Sequence, residues 1–340
     1  MTTTPTRPEA IIVMGADPFA QQFDAERLDR LRSLVNLGTP VWTDDLDSPA
    51  SAARLAEVEV ILTGWGAPSL TAERLARMPR LRAMFHCAGT IRHLVSDEFW
   101  RRGIVASNVA ETNALPVAEF TLAAVIFAGK KAPFLAADAH RTREDWSHSG
   151  MFGELTNLAR TVGVVGFSKV GRRVVPLLQQ LDSLTCLVSD PYADPAEVAA
   201  AGGTLVELDE MLPRVDVLSL HAPALPSTRH MIGAAELAAL RDHATVINTA
   251  RGSLIDTAAL ERECASGRLN AIIDVTDPEP LPAASVLYDL PNVMLTPHIA
   301  GSLGSEVLRL SDAALDELER YVAGAPLAAG LSSDDLRLSA

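Results

Sequence analysis

One stretch, Thr161–Asp190, leaves the chain few folds to choose from. It reads TVGVVGFSKVGRRVVPLLQQLDSLTCLVSD. Val162, Val164 and Val165 are β-branched and apolar, as a buried strand requires. Gly166, Ser168 and Gly171 interrupt the run. Val170, Val174, Val175, Leu178 and Leu181 then recur at helical spacing. A second apolar run, Leu184–Ser189, ends at Asp190. Strand, glycine turn, helix, strand, acid is a unit that aims backbone N–H groups at a helix N-terminus, where a pyrophosphate binds. The acid lies about 20 residues on, where it reaches a ribose 2′-hydroxyl. The fingerprint G-x-G-x-x-G here is Gly166-Phe167-Ser168-Lys169-Val170-Gly171, with a serine at the middle glycine that normally admits the phosphates.

The chain has 340 residues, enough for about two domains. An apolar fraction of 48% argues for globular structure, and a net charge of −14 with no basic run argues against nucleic acid or an anionic membrane surface as partner. Cys87, Cys186 and Cys264 are isolated and odd in number, so they read as reduced apolar residues rather than a disulfide framework. Cys87 follows His86, but neighbours on a strand face opposite ways, so a cysteine nucleophile lacks support. No metal-ligand cluster stands out. The N-terminus does not read as a signal peptide, and the apolar helix candidate Pro116–Ala128 is too short to span a bilayer. A cytoplasmic protein is expected.

Residues 2–8 form a polar tail expected to be disordered. Strands are expected at Ala10–Met14, Val58–Leu62, Leu81–His86 and Gly103–Ser107, with helices at Asp24–Leu37 and Thr71–Met78. This βαβ alternation over the first 108 residues implies a parallel-sheet domain of its own. A long helix, Asn113–Lys131, follows, with Thr112 or Asn113 as cap and Pro116 in its first turn. After the glycine unit come strands at Val215–Leu220, Thr245–Asn248, Asn270–Asp274 and Val293–Leu295. Helices are expected at Asp256–Ser266 and Ser305–Gly324.

Polar residues follow the strand ends: Asp190, His221, Arg251, the Asp274–Glu279 loop and His298. In open α/β sheets ligands bind beyond the carboxyl ends of strands, so these groups are expected to share one rim, facing a cleft between the domains. Arg251 precedes Gly252 in NTARGSLID; its guanidinium can hold a substrate carboxylate through paired hydrogen bonds, or else pair with Asp256. His298 becomes an acid/base group if a carboxylate orients it, with Glu279 the first candidate and Asp277 its competitor.

Together these segments resemble the D-isomer-specific 2-hydroxyacid dehydrogenase family. The carrying motifs are TVGVVGFSKVG, SLHAPALPSTRHMIG, VINTARGSLIDTAAL, IIDVTDPEPLP and LTPHIAGS, which with PVAEF cover about Asn108–Gly304. The resemblance implies a Rossmann-type cofactor domain, 109–301, and a discontinuous flavodoxin-like substrate domain, 1–108 with 302–340. It implies NAD (NADH) as cofactor, a small 2-oxo or 2-hydroxy acid as substrate, and a homodimer. Arg251, Glu279 and His298 match the catalytic residues. Ala88, Gly89 and Thr90 match the substrate-carboxylate turn, which Arg251 assists. Gly166, Phe167, Ser168, Lys169, Val170, Gly171, Asp190, His221, Ala222, Pro223, Thr228, Thr249, Ala250, Asp274 and His298 are expected around the cofactor.

Two departures matter. Ser168 bears on cofactor affinity, and Ile91-Arg92-His93-Leu94-Val95 departs from the family's acidic, asparagine-bearing segment, which bears on the substrate. Side-chain specificity is expected from Thr63–Gly66, Gly89–Leu94 and Trp146, with Arg92 a possible extra positive charge. Alternatives on the same fold are a glyoxylate or hydroxypyruvate reductase and a phosphonate or formate oxidiser. An alternative of another class is an NAD-sensing regulatory or scaffold protein with little turnover.

Overall fold

The computed structural model describes residues 7–143 and 151–338; Trp146 and residues 2–6 lie outside them. The chain forms two compact units, Met1–Asn113 with Ser302–Leu338, and Ala114–Gly301. Among the described residues the strands are β1 (Glu9–Val13), β2 (Asn36–Thr43), β3 (Val60–Thr63), β4 (Ala83–His86), β5 (Val105–Asn108), β6 (Thr161–Val165), β7 (Thr185–Ser189), β8 (Thr204–Leu205), β9 (Val217–Leu220), β10 (Thr245–Asn248), β11 (Asn270–Ile273), β12 (Val293–Leu295) and β13 (Gly330–Leu331).

The first unit holds a sheet in the order β13-β5-β4-β3-β1-β2. β1 to β5 run parallel and β13 is antiparallel at the edge. The order β2-β1-β3-β4-β5 is flavodoxin-like. β3 and β4 are buried along their whole length, because helices cover both faces of a parallel sheet. One cover is the helix Val307–Val322, whose Leu310, Ala314, Leu315 and Leu318 recur three and four apart and pack with Ala10, Ile12, Leu62 and Phe85.

β2 is absent from the sequence reading, which runs a helix to Leu37. That helix is Ala25–Leu34, capped by Asp24 accepting from the Arg27 N–H at 3.0 Å. Gly38 and Pro40 argue against a central strand, and β2 accommodates them because it is an edge. Its register with β1 slips between Ala10 and Ile12. Two residues of the expected tail are tied down: Arg7 Nη1 donates to the Arg32 carbonyl at 3.0 Å, and the Pro8 carbonyl accepts from Asn36 N–H at 2.9 Å.

The long helix is Ala110–Lys130, so Pro116 lies inside it rather than in its first turn. Asn108, not Thr112 or Asn113, meets its first N–H groups, accepting from Ala110 at 3.3 Å. With 21 residues and a hydropathy of 1.4 it is long and apolar enough to cross a membrane, contrary to the sequence reading. Half of that span is buried, and Ala118, Ala124, Val125 and Ala128 pack with Phe134 and Val162.

The second unit holds an all-parallel sheet in the order β12-β11-β10-β9-β6-β7-β8. The chain leaves β6 towards β7 and β8, then crosses back to β9. The reversal between β6 and β9 is where such sheets bind ligands. The helix Gly171–Leu178 buries Val174, Val175 and Leu178; Leu181 packs against the same core from beyond its end.

Candidate active site

The carboxyl rim of the second sheet is built from loops whose shape their own side chains impose. At the end of β10, Asn248 folds back on the turn after it. Its Nδ2 donates to the Arg251 carbonyl at 2.9 Å and its Oδ1 accepts from Ala250 N–H at 3.1 Å. Gly252 has no room for a side chain: a Cβ would lie 2.0 Å from the Thr276 carbonyl carbon and 2.5 Å from the Asp277 nitrogen. The glycine therefore lets the Arg251 turn close against the Thr276–Asp277 backbone. Arg251 Nη1 donates to the Ala250 carbonyl at 2.6 Å. Burial lowers the guanidinium's pKa while the nearby Glu279 charge raises it, and arginine stays charged throughout. Asp256 is not its partner, since it caps the following helix at Ala259 N–H.

At the end of β11, Asp274 is buried and acts as the hub of the turn after β12. Its Oδ1 accepts from Thr296 Oγ1 at 2.6 Å and Ile299 N–H at 2.8 Å; its Oδ2 accepts from Ala300 N–H at 2.9 Å. Its carbonyl takes the His298 N–H at 2.9 Å. Between these contacts His298 is held at φ +55°, a left-handed conformation uncommon in residues other than glycine. The ring meets Glu279: Nδ1 lies 2.7 Å from Oε1, with both side chains about half exposed. A carboxylate at Nδ1 fixes that nitrogen as donor and leaves Nε2 to exchange a proton. The Asp277 carboxylate instead accepts from Arg229 Nη1 at 3.0 Å, and its backbone carbonyl accepts from the Thr257 hydroxyl at 2.8 Å.

The glycine turn sits at the β6/β9 reversal. Gly166 takes φ +95°, and a Cβ there would fall 2.5 Å from Ala222 N and 2.7 Å from His221 C. A Cβ on Gly171 would fall 2.1 Å from the Gly166 oxygen. Ser168 Oγ donates to the His221 carbonyl at 2.8 Å. The carbonyl of Lys169 accepts from Arg173 Nη1, and Val170 precedes the helix. Asp190, at the end of β7, accepts from Phe167 N–H at 2.7 Å and from Tyr192 N–H at 2.8 Å, so it is bonded to the turn. His221 is buried, with Nε2 2.9 Å from Ser219 Oγ and Nδ1 unpartnered among the described residues; burial pushes its pKa down to about 3 and keeps the ring neutral.

Thr228 closes the loop after β9: its hydroxyl donates to the Pro223 carbonyl at 2.6 Å and accepts from Leu225 N–H at 2.8 Å. Thr249 Oγ1 lies 3.0 Å from Thr121 Oγ1. The structure thus brings Arg251, Glu279, His298, Asp274 and the glycine turn to the ends of parallel strands of one sheet. Asn248 and Gly252 escaped the sequence reading; an Asn beginning a turn and a glycine beside the arginine were the available signals.

In the first unit, Ala88, Gly89 and Thr90 follow β4. A Cβ on Gly89 would meet nothing within 4 Å, and the Thr90 hydroxyl accepts from Arg92 N–H at 3.2 Å. The exposed Arg92 side chain donates to the Leu336 carbonyl. All three cysteines are buried, and burial pushes the Cys87 thiol up to about 12, which removes it as a nucleophile.

A glycine turn with no space at its first and last glycines, an acid at the next strand end and a buried imidazole nitrogen lacking a partner fit a dinucleotide. The class is therefore a two-unit α/β protein with a dinucleotide turn and a carboxylate-held histidine on the same rim. Residues 124–300 match the family described as D-isomer specific 2-hydroxyacid dehydrogenase, NAD binding domain. The chain belongs to that family, and its second unit carries the NAD-binding domain.

The D-3-phosphoglycerate dehydrogenase of Mycobacterium tuberculosis (strain ATCC 25618 / H37Rv) is 32% identical over 262 residues, 77% of this chain and 48% of that protein. The chain spans about half the length of such curated relatives. The glycerate dehydrogenase of Methylorubrum extorquens is 30% identical over 266 residues, 76% of this chain and 81% of that protein. The solved D-lactate dehydrogenase from Aquifex aeolicus, complexed with NAD and lactic acid, shares the fold. Its TM-score is 0.74 at 24% identity, and the match covers 95% of this chain and all of that one.

Proposed function

We propose that the protein is an NAD-dependent oxidoreductase that reduces a 2-oxo acid to a D-2-hydroxy acid and catalyses the reverse. The observation that carries this reading is the 2.7 Å contact of His298 Nδ1 with Glu279, on the rim that also holds Arg251 and the dinucleotide turn. When bound, the nicotinamide cofactor supplies or takes the hydride at the carbon under attack. The Arg251 guanidinium offers parallel N–H groups to the carboxylate of the reactant and polarises its carbonyl. Protonated His298 gives its Nε2 proton to the carbonyl oxygen as negative charge develops there. Glu279 holds the ring by Nδ1 throughout, so that the exchanging nitrogen keeps its aim. In the oxidising direction neutral Nε2 takes the hydroxyl proton.

The test is a panel of glyoxylate, hydroxypyruvate, phenylpyruvate and 2-oxoisocaproate with NADH, followed at the cofactor's absorbance. Turnover of at least one 2-oxo acid is expected. Tight NADH binding without turnover of any would instead favour the regulatory reading.

Asp190 repels a 2′-phosphate; of the two arginines bonded to the turn, Arg172 pairs with Glu197 at 2.6 Å over the Phe167 ring and Arg173 donates to the Lys169 carbonyl at 2.9 Å. We expect kcat/KM for NADH to exceed that for NADPH by about tenfold or more; equal values contradict the assignment. A homodimer and a cytoplasmic location complete the reading. Three buried free cysteines support the second. Sedimentation is expected to give twice the chain mass, and a monomer at micromolar concentration would refute the dimer.

A further inference from the structure

Ser168 stands where a dinucleotide fingerprint has its middle glycine. A side chain there obstructs the phosphates unless something turns it aside. Here its Oγ donates to the His221 carbonyl at 2.8 Å, which directs the side chain toward the end of β9. The same backbone is the wall that leaves Gly166 no room, and His221 N–H in turn donates to the Val165 carbonyl at 2.7 Å. Val165 and Ser168 flank the turn on either side of Gly166, and both are bonded to one residue across the sheet reversal.

We propose that Ser168 is a positioning residue for the cofactor: its hydroxyl latches the glycine turn to the His221–Pro223 strand end and so fixes the spacing of the two segments that receive NAD. The latch rests on the NAD-binding assignment and gives the serine a use the fingerprint does not provide for. A glycine at this position removes the bond and adds backbone freedom, so the two segments must be ordered when the cofactor binds.

The experiment measures NADH dissociation constants by fluorescence for the wild-type protein, Ser168→Ala and Ser168→Gly, well below the melting midpoint of each. Loss of one net hydrogen bond is expected to weaken NADH binding by about three- to tenfold in both variants. The KM for NADH is expected to rise in step with the dissociation constant. A glycine variant that binds NADH as tightly as the wild type, or more tightly, overturns the latch. So does a lowered melting midpoint with unchanged affinity, which is what a merely structural serine would give. Should the alanine variant fail to fold, the glycine variant decides alone. Wild-type protein that does not bind NADH at all would instead overturn the cofactor assignment.

Discussion

His298→Ala is expected to lower kcat by about two to four orders of magnitude, the loss that follows removal of a general acid. Arg251→Ala is expected to lower kcat by about two to three orders and to raise KM for the 2-oxo acid, because the guanidinium both orients the carboxylate and polarises the carbonyl. The two variants differ in where the loss falls. The histidine touches the proton only, so its KM changes little. The arginine touches bound reactant, so both constants move. Glu279→Gln is the informative intermediate: the amide oxygen still accepts from Nδ1, but the charge facing the ring is gone, and kcat is expected to fall less than in His298→Ala. Steady-state rates with any accepted 2-oxo acid check all three. Near-normal kcat in His298→Ala or Arg251→Ala would remove the catalytic assignment.

Asp274→Ala is expected to damage stability and activity together. Its carboxylate, 2% exposed, collects a hydroxyl and two backbone N–H groups from the turn after β12. Hydrogen bonds to a charged group contribute about 1.5–3 kcal/mol each and do not add fully, so a loss of about 3–5 kcal/mol is expected. For a unit of this size that is a fall of about 10 °C in Tm. The activity falls too, because the same contacts hold His298 in its left-handed conformation. Asp274→Asn keeps the shape but presents N–H groups to N–H donors, and is expected to fall between wild type and alanine. Thermal melting checks the first effect, and an unchanged midpoint in Asp274→Ala would refute the hub assignment.

The second sheet was largely legible in the sequence because each long strand is a short β-branched run cut off by glycine or a polar residue. β10 and β12 have the expected bounds, and the helix Thr257–Ala265 is flanked by the expected Asp256 and Ser266. What escaped were edges. β8 and β13 have two residues each, and β2 carries a glycine and a proline, so none offers a periodic signal. At the site, residue types and strand ends brought forward Arg251, Glu279 and His298. They ranked Glu279 ahead of Asp277; the structure pairs the Asp277 carboxylate with Arg229, a residue far off in sequence, and leaves Glu279 to His298. Asp274 and Thr228 were expected beside the cofactor. Their side chains also close hydrogen bonds within their own loops, which only tertiary contacts reveal.

The interrupted path of the first unit has a consequence for how the chain is made. One face of its sheet is covered by Val307–Val322 and its edge completed by β13, whereas the second unit is contiguous in sequence. On a ribosome the NAD-binding unit can therefore assemble while the earlier one still waits, its apolar face bare, for residues beyond 301 to emerge. A released chain ending at residue 301 should accordingly show a protease-resistant second unit behind a protease-sensitive amino-terminal half.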